Sequence, residues 1–254
     1  MRGRDYDLGM PNFSDASIVV LVTLLCPWTA LSQTPALQTD RPDFTESPFV
    51  VPLGSIQLEA GLAMRFGQRV DETSGPEALI RWSPTRRFEI RFAPPGYVHG
   101  ESLRGYTDVS IGTKIEAGRF RNWNVGVIAS LGLPTGDEEV SVGRPTPGLI
   151  LAAGRNLTDA WTVGTQGSVV RSGVGEGVVL ASTLVVGRAL TSNLGVFLEV
   201  AAAREPNAAT LKAVHSGVTW LPSPLLQLDI HATRELARTG GAHAVGLGMS
   251  TRFD

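Results

Sequence analysis

The sequence predicts an all-β fold: a transmembrane, antiparallel, up-and-down β-barrel of about twelve strands. Three observations carry that prediction. Long segments alternate apolar and non-apolar residues with a period of two, and none shows an apolar stripe at helical spacing. The second face of these segments mixes Gly, Ser, Thr and Gln with charges of both signs, which suits a polar lumen better than the densely charged outside of a soluble sandwich. No stretch reaches eighteen consecutive apolar residues, so strands are the only device available for crossing a bilayer.

Composition narrows the function. Hydrophobic content of 43% with 18% charge describes a folded chain, and a net charge of -2 gives no electrostatic case for nucleic acid. Cys26 is the sole cysteine, which removes a disulfide framework and a thiolate zinc site.

Residues 1–32 read as a secretory signal. Arg2 and Arg4 give a basic start, residues 16–25 an apolar core, and Ala30-Leu31-Ser32 small residues before a cleavage point ahead of Gln33. Asp5, Asp7 and Asp15 dilute the basic start, and Met10 offers a second initiation point. A membrane anchor is the competing reading, but ten apolar residues are too few to span. Pro27 directly after Cys26 argues against a lipoprotein. Cleavage leaves 20 basic and 21 acidic side chains and no cysteine.

Residues 33–54 form a separate N-terminal segment, periplasmic or lumenal. Within it, residues 39–52 are rich in proline and carboxylates and stay irregular, because proline lacks an amide proton and restrains the residue before it. The barrel takes residues 55–254. Its first strand sets Ile56, Leu58, Ala60, Leu62, Met64 and Phe66 against Gln57, Glu59, Gly61, Ala63, Arg65 and Gly67. A polar turn follows at residues 71–75. Residues 76–83 oppose Ala78, Ile80 and Trp82 to Glu77 and Arg81, and residues 87–93 oppose Phe88, Ile90 and Phe92 to Arg87, Glu89 and Arg91.

Residues 94–104 read as a loop. In residues 105–116, Val109, Ile111 and Ile115 oppose Asp108, Ser110, Lys114 and Glu116. Residues 122–133 come next, then a charged loop at 134–142. Residues 143–155 form the weakest strand, interrupted by Pro145 and Pro147. Strands at 160–170, 177–190, 194–203, 208–220, 225–236 and 242–253 complete the set. The last places Val245, Leu247, Met249, Thr251 and Phe253 on one face, and such a strand with a terminal aromatic resembles the usual ending of outer-membrane barrels; Asp254 beyond Phe253 departs from it.

A family resemblance adds to this. Thr39-Asp40-Arg41-Pro42-Asp43-Phe44-Thr45-Glu46-Ser47-Pro48, then Gly54 and Ile56-Gln57-Leu58-Glu59, resemble the bacterial outer-membrane transporter family of the MetA pathway of phenol degradation. Asp108-Val109-Ser110-Ile111-Gly112-Thr113-Lys114, Gly132-Leu133-Pro134-Thr135-Gly136 and residues 246–253 match as well. The resemblance implies a channel-like barrel in the outer membrane of a Gram-negative cell, with some members associated with uptake of aromatic compounds.

The expected function is therefore passive passage of small solutes, aromatic or apolar ones included, and not catalysis. The alternatives are a barrel enzyme acting on membrane lipid and a structural barrel without transport. The enzyme would centre on His231, which shares a face with Gln227, Asp229 and Glu235. His215 and Ser216 point to opposite faces and cannot pair; His99 and His243 read as surface groups. No metal cluster, nucleophile elbow or phosphate loop suggests a cofactor. The candidate lumen or gating residues are Asp40, Arg41, Asp43, Glu46, Glu59, Arg65, Arg91, Lys114, Asp229 and His231. The first four would bond to lumen charges and narrow the pore if the N-terminal segment lies inside, with a plain periplasmic linker as the other reading. Expected partners are outer-membrane lipid, the barrel-assembly machinery through the C-terminal strand, and a small-molecule solute. Twelve strands lie between a filled eight-stranded barrel and an open sixteen-stranded one.

Overall fold

A computed structural model of the chain describes residues 37–67, 71–101, 103–173, 176–236 and 241–254. The expected signal at 1–32 lies outside the described residues. The strands are β1 (Ile56–Phe66), β2 (Glu72–Gly75), β3 (Leu79–Thr85), β4 (Phe88–Ala93), β5 (Tyr97–Gly100), β6 (Arg104–Tyr106), β7 (Val109–Phe120) and β8 (Trp123–Leu133). They continue as β9 (Thr146–Asn156), β10 (Trp161–Arg171), β11 (Val178–Ala189), β12 (Leu194–Arg204), β13 (Leu211–Ser223), β14 (Leu226–Glu235) and β15 (His243–Phe253).

Twelve of these close a barrel. β1, β3, β4 and β7 to β15 pair antiparallel in chain order, and β15 returns to β1 in unbroken register from Ile56↔Phe253 to Phe66↔His243. Closure leaves no sheet edge among the long strands, which a lipid-exposed sheet requires. One end carries the chain's entry into β1, the end of β15 and the short β3–β4, β7–β8, β9–β10, β11–β12 and β13–β14 turns. The other carries the longer connections. They are called here the turn end and the loop end.

The expected polar turn at 71–75 and loop at 94–104 are corrected by the structure, since they contain β2, β5 and the first residue of β6, and the expected strand at 105–116 is divided between β6 and β7. These runs are too short to alternate visibly; a neighbour's free edge makes them strands. β3 pairs with β1 only over residues 56–59, and β2 takes the exposed edge at residues 63–65. β5 and β6 extend that ladder outward. The proline-interrupted segment around Pro147 forms a full eleven-residue strand, β9. Pro147 sits one position past the last β10 partner, Gly148, so its missing N–H removes little from the ladder. Pro84 and Pro222 fall at the register shifts of β3 and β13, the other place a sheet accepts proline.

The two walls follow from the alternation. Leu62, Ile90, Ile111, Leu198, Ile230 and Leu247 are exposed on the outside, forming an apolar belt. At its turn-end border stand exposed Phe120, Trp161, Trp220 and Phe253. Arg188 lies 5.1 Å over the Trp161 ring and Arg155 5.2 Å over Trp123, as amphipathic side chains do at a lipid–water boundary. The interior is inverted relative to a soluble protein: Arg81, Arg252, Lys114, His215, Gln57 and Gln227 are among the largest fully buried side chains.

Candidate functional site: the occupied lumen

Successive residues of a strand point to opposite sides, so the non-apolar residues of each barrel strand face the lumen. Residues 37–52 occupy that space. Pro42, Pro48 and Pro52 keep them from pairing as a strand, and they bond instead through side chains.

The segment enters at the turn end. Gln57 and Arg81 donate to the Gln38 carbonyl at 2.8 and 2.9 Å. Gln227 donates to the Thr39 hydroxyl and the Arg41 carbonyl, each at 3.2 Å. The Asp40 amide donates to the Glu59 carboxylate at 2.9 Å. The Asp40 carboxylate accepts from Lys114 Nζ at 2.7 Å and Arg91 Nη1 at 2.7 Å, and lies 3.2 Å from Arg81 Nη1.

Arg41 then reaches across. Its Nη2 is 3.4 Å from Asp229, from His231 Nε2 and from the Leu247 carbonyl. The approach is close enough that a methyl group at Gly61 or Gly248 would overlap the guanidinium. Beyond Arg41 the chain turns back. The Phe44 ring lies 4.2 Å from the His215 ring, and the Phe44 amide donates to Glu199. The Thr45 hydroxyl donates to Glu199 at 2.7 Å and accepts from the Thr183 hydroxyl at 2.6 Å. Gln166 accepts from the Glu46 amide at 2.7 Å and donates to the Phe44 carbonyl at 2.8 Å. Arg91 Nη2 donates to both Glu46 oxygens at 3.1 Å.

On the way out, Pro48 packs over β8 and β9, where a Cβ at Gly126 would fall 2.6 Å from the Pro48 carbonyl oxygen. The Val51 amide donates to Glu89 at 2.9 Å. One peptide segment thus touches all twelve barrel strands, which only a position inside the barrel permits.

Of the candidate residues, Asp40, Glu46, Glu59, Arg91 and Lys114 meet in one network, and Arg41, Asp229 and His231 in a second beside it. Arg65 stands apart toward the loop end, 2.7 Å from Glu235 and 3.9 Å from Glu72. Asp43 lies at the apex of the segment, fully buried, with no hydrogen-bond partner for either oxygen among the described residues.

Four lumen residues escape sequence reasoning: Arg81, Glu89, Glu199 and His215. Arg81 is the hub. It gives two 2.9 Å bonds to Glu89 and one of 2.7 Å to Glu59, and it holds both limbs of the segment through the Gln38 and Phe49 carbonyls. Alternation does put Arg81 and Glu89 on the inner face; nothing local marks them as the pair that meets residues 38–51. His215 Nδ1 lies 3.2 Å from Glu199 and its Nε2 3.1 Å from His231 Nδ1, so two strands away from Glu199 the chain of bonds ends on Arg41.

Electrostatics separate the segment's three carboxyl groups. Burial opposes ionisation of Asp40, but Arg81, Lys114 and Arg91 outweigh it and hold the group well below its ordinary range. Burial pushes Glu46 up to about 8, with Arg91 pulling down and Asp40 adding to the rise. Burial also raises Asp43 well above its ordinary value, and Glu199, Asp40 and Asp229 raise it further.

Comparison with known proteins agrees with this architecture. Residues 39–253 match the family described as "Putative MetA-pathway of phenol degradation". An outer-membrane channel from Pseudomonas putida F1 superposes with a TM-score of 0.62 at 15% identity, covering 81% of this chain and 98% of that one. The NanC porin gives 0.58 at 10% identity, covering 76% and 98%. The KdgM porin gives 0.57 at 10% identity, covering 78% and 99%. At such identities the likeness shows the fold. No curated protein matches the sequence.

Proposed function

The chain belongs to the MetA-pathway phenol-degradation family, and from that premise we propose that it is an outer-membrane channel for small solutes, gated by residues 37–52. The supporting observation is the seating of the segment. It contacts nine barrel strands through hydrogen bonds and β8, β9 and β13 through Pro48 and the Phe44 ring, yet the peptide chain joins it to the barrel only at β1, so it can leave without breaking the sheet. The apolar belt and aromatic border support an outer-membrane location, with the turn end toward the periplasm. The solved relatives include porins and a channel, which supports passive passage over chemistry. The family's description makes small aromatic molecules such as phenol the first solutes to test.

A disulfide decides whether the segment gates. Beyond Cys26 the chain has no cysteine, so in a protein lacking the expected signal Thr45→Cys with Thr183→Cys introduces the only two thiols, at positions whose hydroxyls are 2.6 Å apart. In planar bilayers and phenol-loaded liposomes, the oxidised variant should be closed and the reductant should restore wild-type conductance and efflux. A barrel silent in every state would instead be structural, the reading that an occupied lumen favours if the segment never leaves.

A further inference from the structure

The network around the segment is short of positive charge. The buried cations bonded to it are Arg41, Arg81, Arg91 and Lys114, a fifth, Arg252, being paired with Asp254 at the turn end; its buried carboxylates are Asp40, Asp43, Glu46, Glu59, Glu89, Glu199 and Asp229. Seven acids against four bases leave three negative charges in a water-poor interior, where each is costly. The two histidines do not supply the difference. Arg41 has only donors, so His231 Nε2 accepts from it; His231 Nδ1–H then donates to His215 Nε2, and His215 Nδ1–H to Glu199. That order of bonds turns both imidazoles toward Arg41, each other and Glu199, and neither toward Asp43. A metal ion would need three converging donors, and no group of that kind occurs among the described residues.

The shortage concentrates at Asp43. Asp40, Glu46, Glu59, Glu89, Glu199 and Asp229 each hold a cation or an N–H or O–H donor. Asp43 holds none among the described residues, and the charges closest to it in effect, Glu199, Asp40 and Asp229, are all negative. The other ionisable groups touching the segment are Glu59 of β1, Glu77 before β3, Arg81 of β3, Glu89 and Arg91 of β4, Lys114 and Glu116 of β7, His215 of β13 and His231 of β14, with Arg41 and Glu46 on the segment itself. β10 and β11 offer the uncharged Gln166 and Thr183.

We propose that Asp43 is a proton-binding latch: its neutral carboxyl group keeps the segment seated in the lumen, and loss of the proton releases the segment and opens the channel. This inference rests on the gating function proposed above. The direction follows from linkage. A carboxyl group whose affinity for protons is raised by insertion stabilises the seated state fully below its ordinary range near pH 4, and that contribution is lost as pH rises toward its seated value. Glu46 acts in the same sense, over a window that ends at about 8. Asp40, shifted downward, acts oppositely: its contribution is complete above its ordinary range near pH 4 and is lost only as pH falls below that, outside the range tested.

The test is conductance of the full mature chain in planar bilayers between pH 5 and pH 9. Wild-type open probability should rise with pH, by up to about tenfold per unit for one proton. D43N, which is neutral at position 43 at every pH, should stay mostly closed and keep only the shallower rise that Glu46 contributes below about pH 8. A D43N protein that keeps the wild-type profile, or a pH-independent wild type, overturns the latch. Those outcomes leave the gate intact as long as reducing the engineered disulfide between positions 45 and 183 opens the channel; if reduction changes nothing, the gate itself fails. Should D43N not fold, amide hydrogen exchange across residues 39–51 of the wild type, corrected for intrinsic base catalysis, gives the same reading: protection must fall as pH rises, and constant protection refutes the latch.

Discussion

The two ends of the barrel are held by different physics. At the turn end and in the middle, residues 37–52 are held by ion pairs and hydrogen bonds to inward charges, with Arg81 and Asp40 at the centre. At the loop end, the β2–β5–β6 ladder and the 134–142 connection pack through Val98, Leu103 and Val140. There a single carboxylate, Asp108, collects the amides of Thr135, Gly136 and Val142 at 2.9–3.1 Å. The first is a separate segment inside the lumen, responsive to charge. The second is a continuation of the barrel's own sheet, held by backbone bonds and apolar contact, and should respond to neither pH nor lumen charge.

That contrast can be broken or sharpened by substitution. Arg81→Ala should have the largest effect. It leaves Glu59 and Glu89 without their shared cation and frees both limbs of the segment, a loss of about 3–5 kcal/mol by analogy with other buried pairs. Protease cleavage within residues 39–51 and a large rise in conductance would show it; an unchanged channel would mean the limbs are held otherwise. Gly126→Leu comes next, since the added side chain must occupy the space of Pro48. Overpacking of this kind costs about 1–3 kcal/mol, and conductance should rise while the barrel's heat-resistant mobility on gels persists.

Asp108→Ala probes the other end. It strips three amides of their acceptor, loosening the 134–142 connection by roughly 1–3 kcal/mol. Hydrogen exchange there should accelerate, with the pH dependence of conductance untouched; a shifted pH profile would erase the distinction between the two ends. Val140→Ala should be the smallest effect, about 1 kcal/mol from the small apolar cluster it shares with Val98 and Leu103, read as a modest local gain in exchange.

How much of this was legible before the structure varies with the kind of residue. The long strands are legible because alternation is a local property; even β9 appears in outline despite Pro147, whose cost depends on where β10 stops. β2, β5 and β6 are not, because three or four residues carry no periodicity and become strands only beside the uncovered half of β1. The same split runs through the site. Asp40, Arg41, Asp43 and Glu46 are legible as lumen candidates because a free linker would not need Phe44 and Phe49 among its prolines, and Glu59, Arg91, Lys114 and Asp229 as charges on a lumen face. Arg81 and Glu89 have the same inward parity, but their role depends on meeting Gln38 and Phe49 across the lumen. His215, next to Ser216, reads as an unpaired histidine until β12 and β14 bring Glu199 and His231 to either side of it.

The sequence by itself determined the class, the approximate strand count and which residues face lipid or lumen, since a period of two sorts side chains without reference to any other part of the chain. The tertiary structure alone decided what the lumen contains. Barrel closure sets strands far apart in sequence around a common axis, and only then do Asp40 and Lys114, 74 residues apart, share a bond. Closure likewise leaves Asp43 facing carboxylates with no partner among the described residues. That position has no signature along the chain, because a carboxyl group's need for a proton is set by what surrounds it in space.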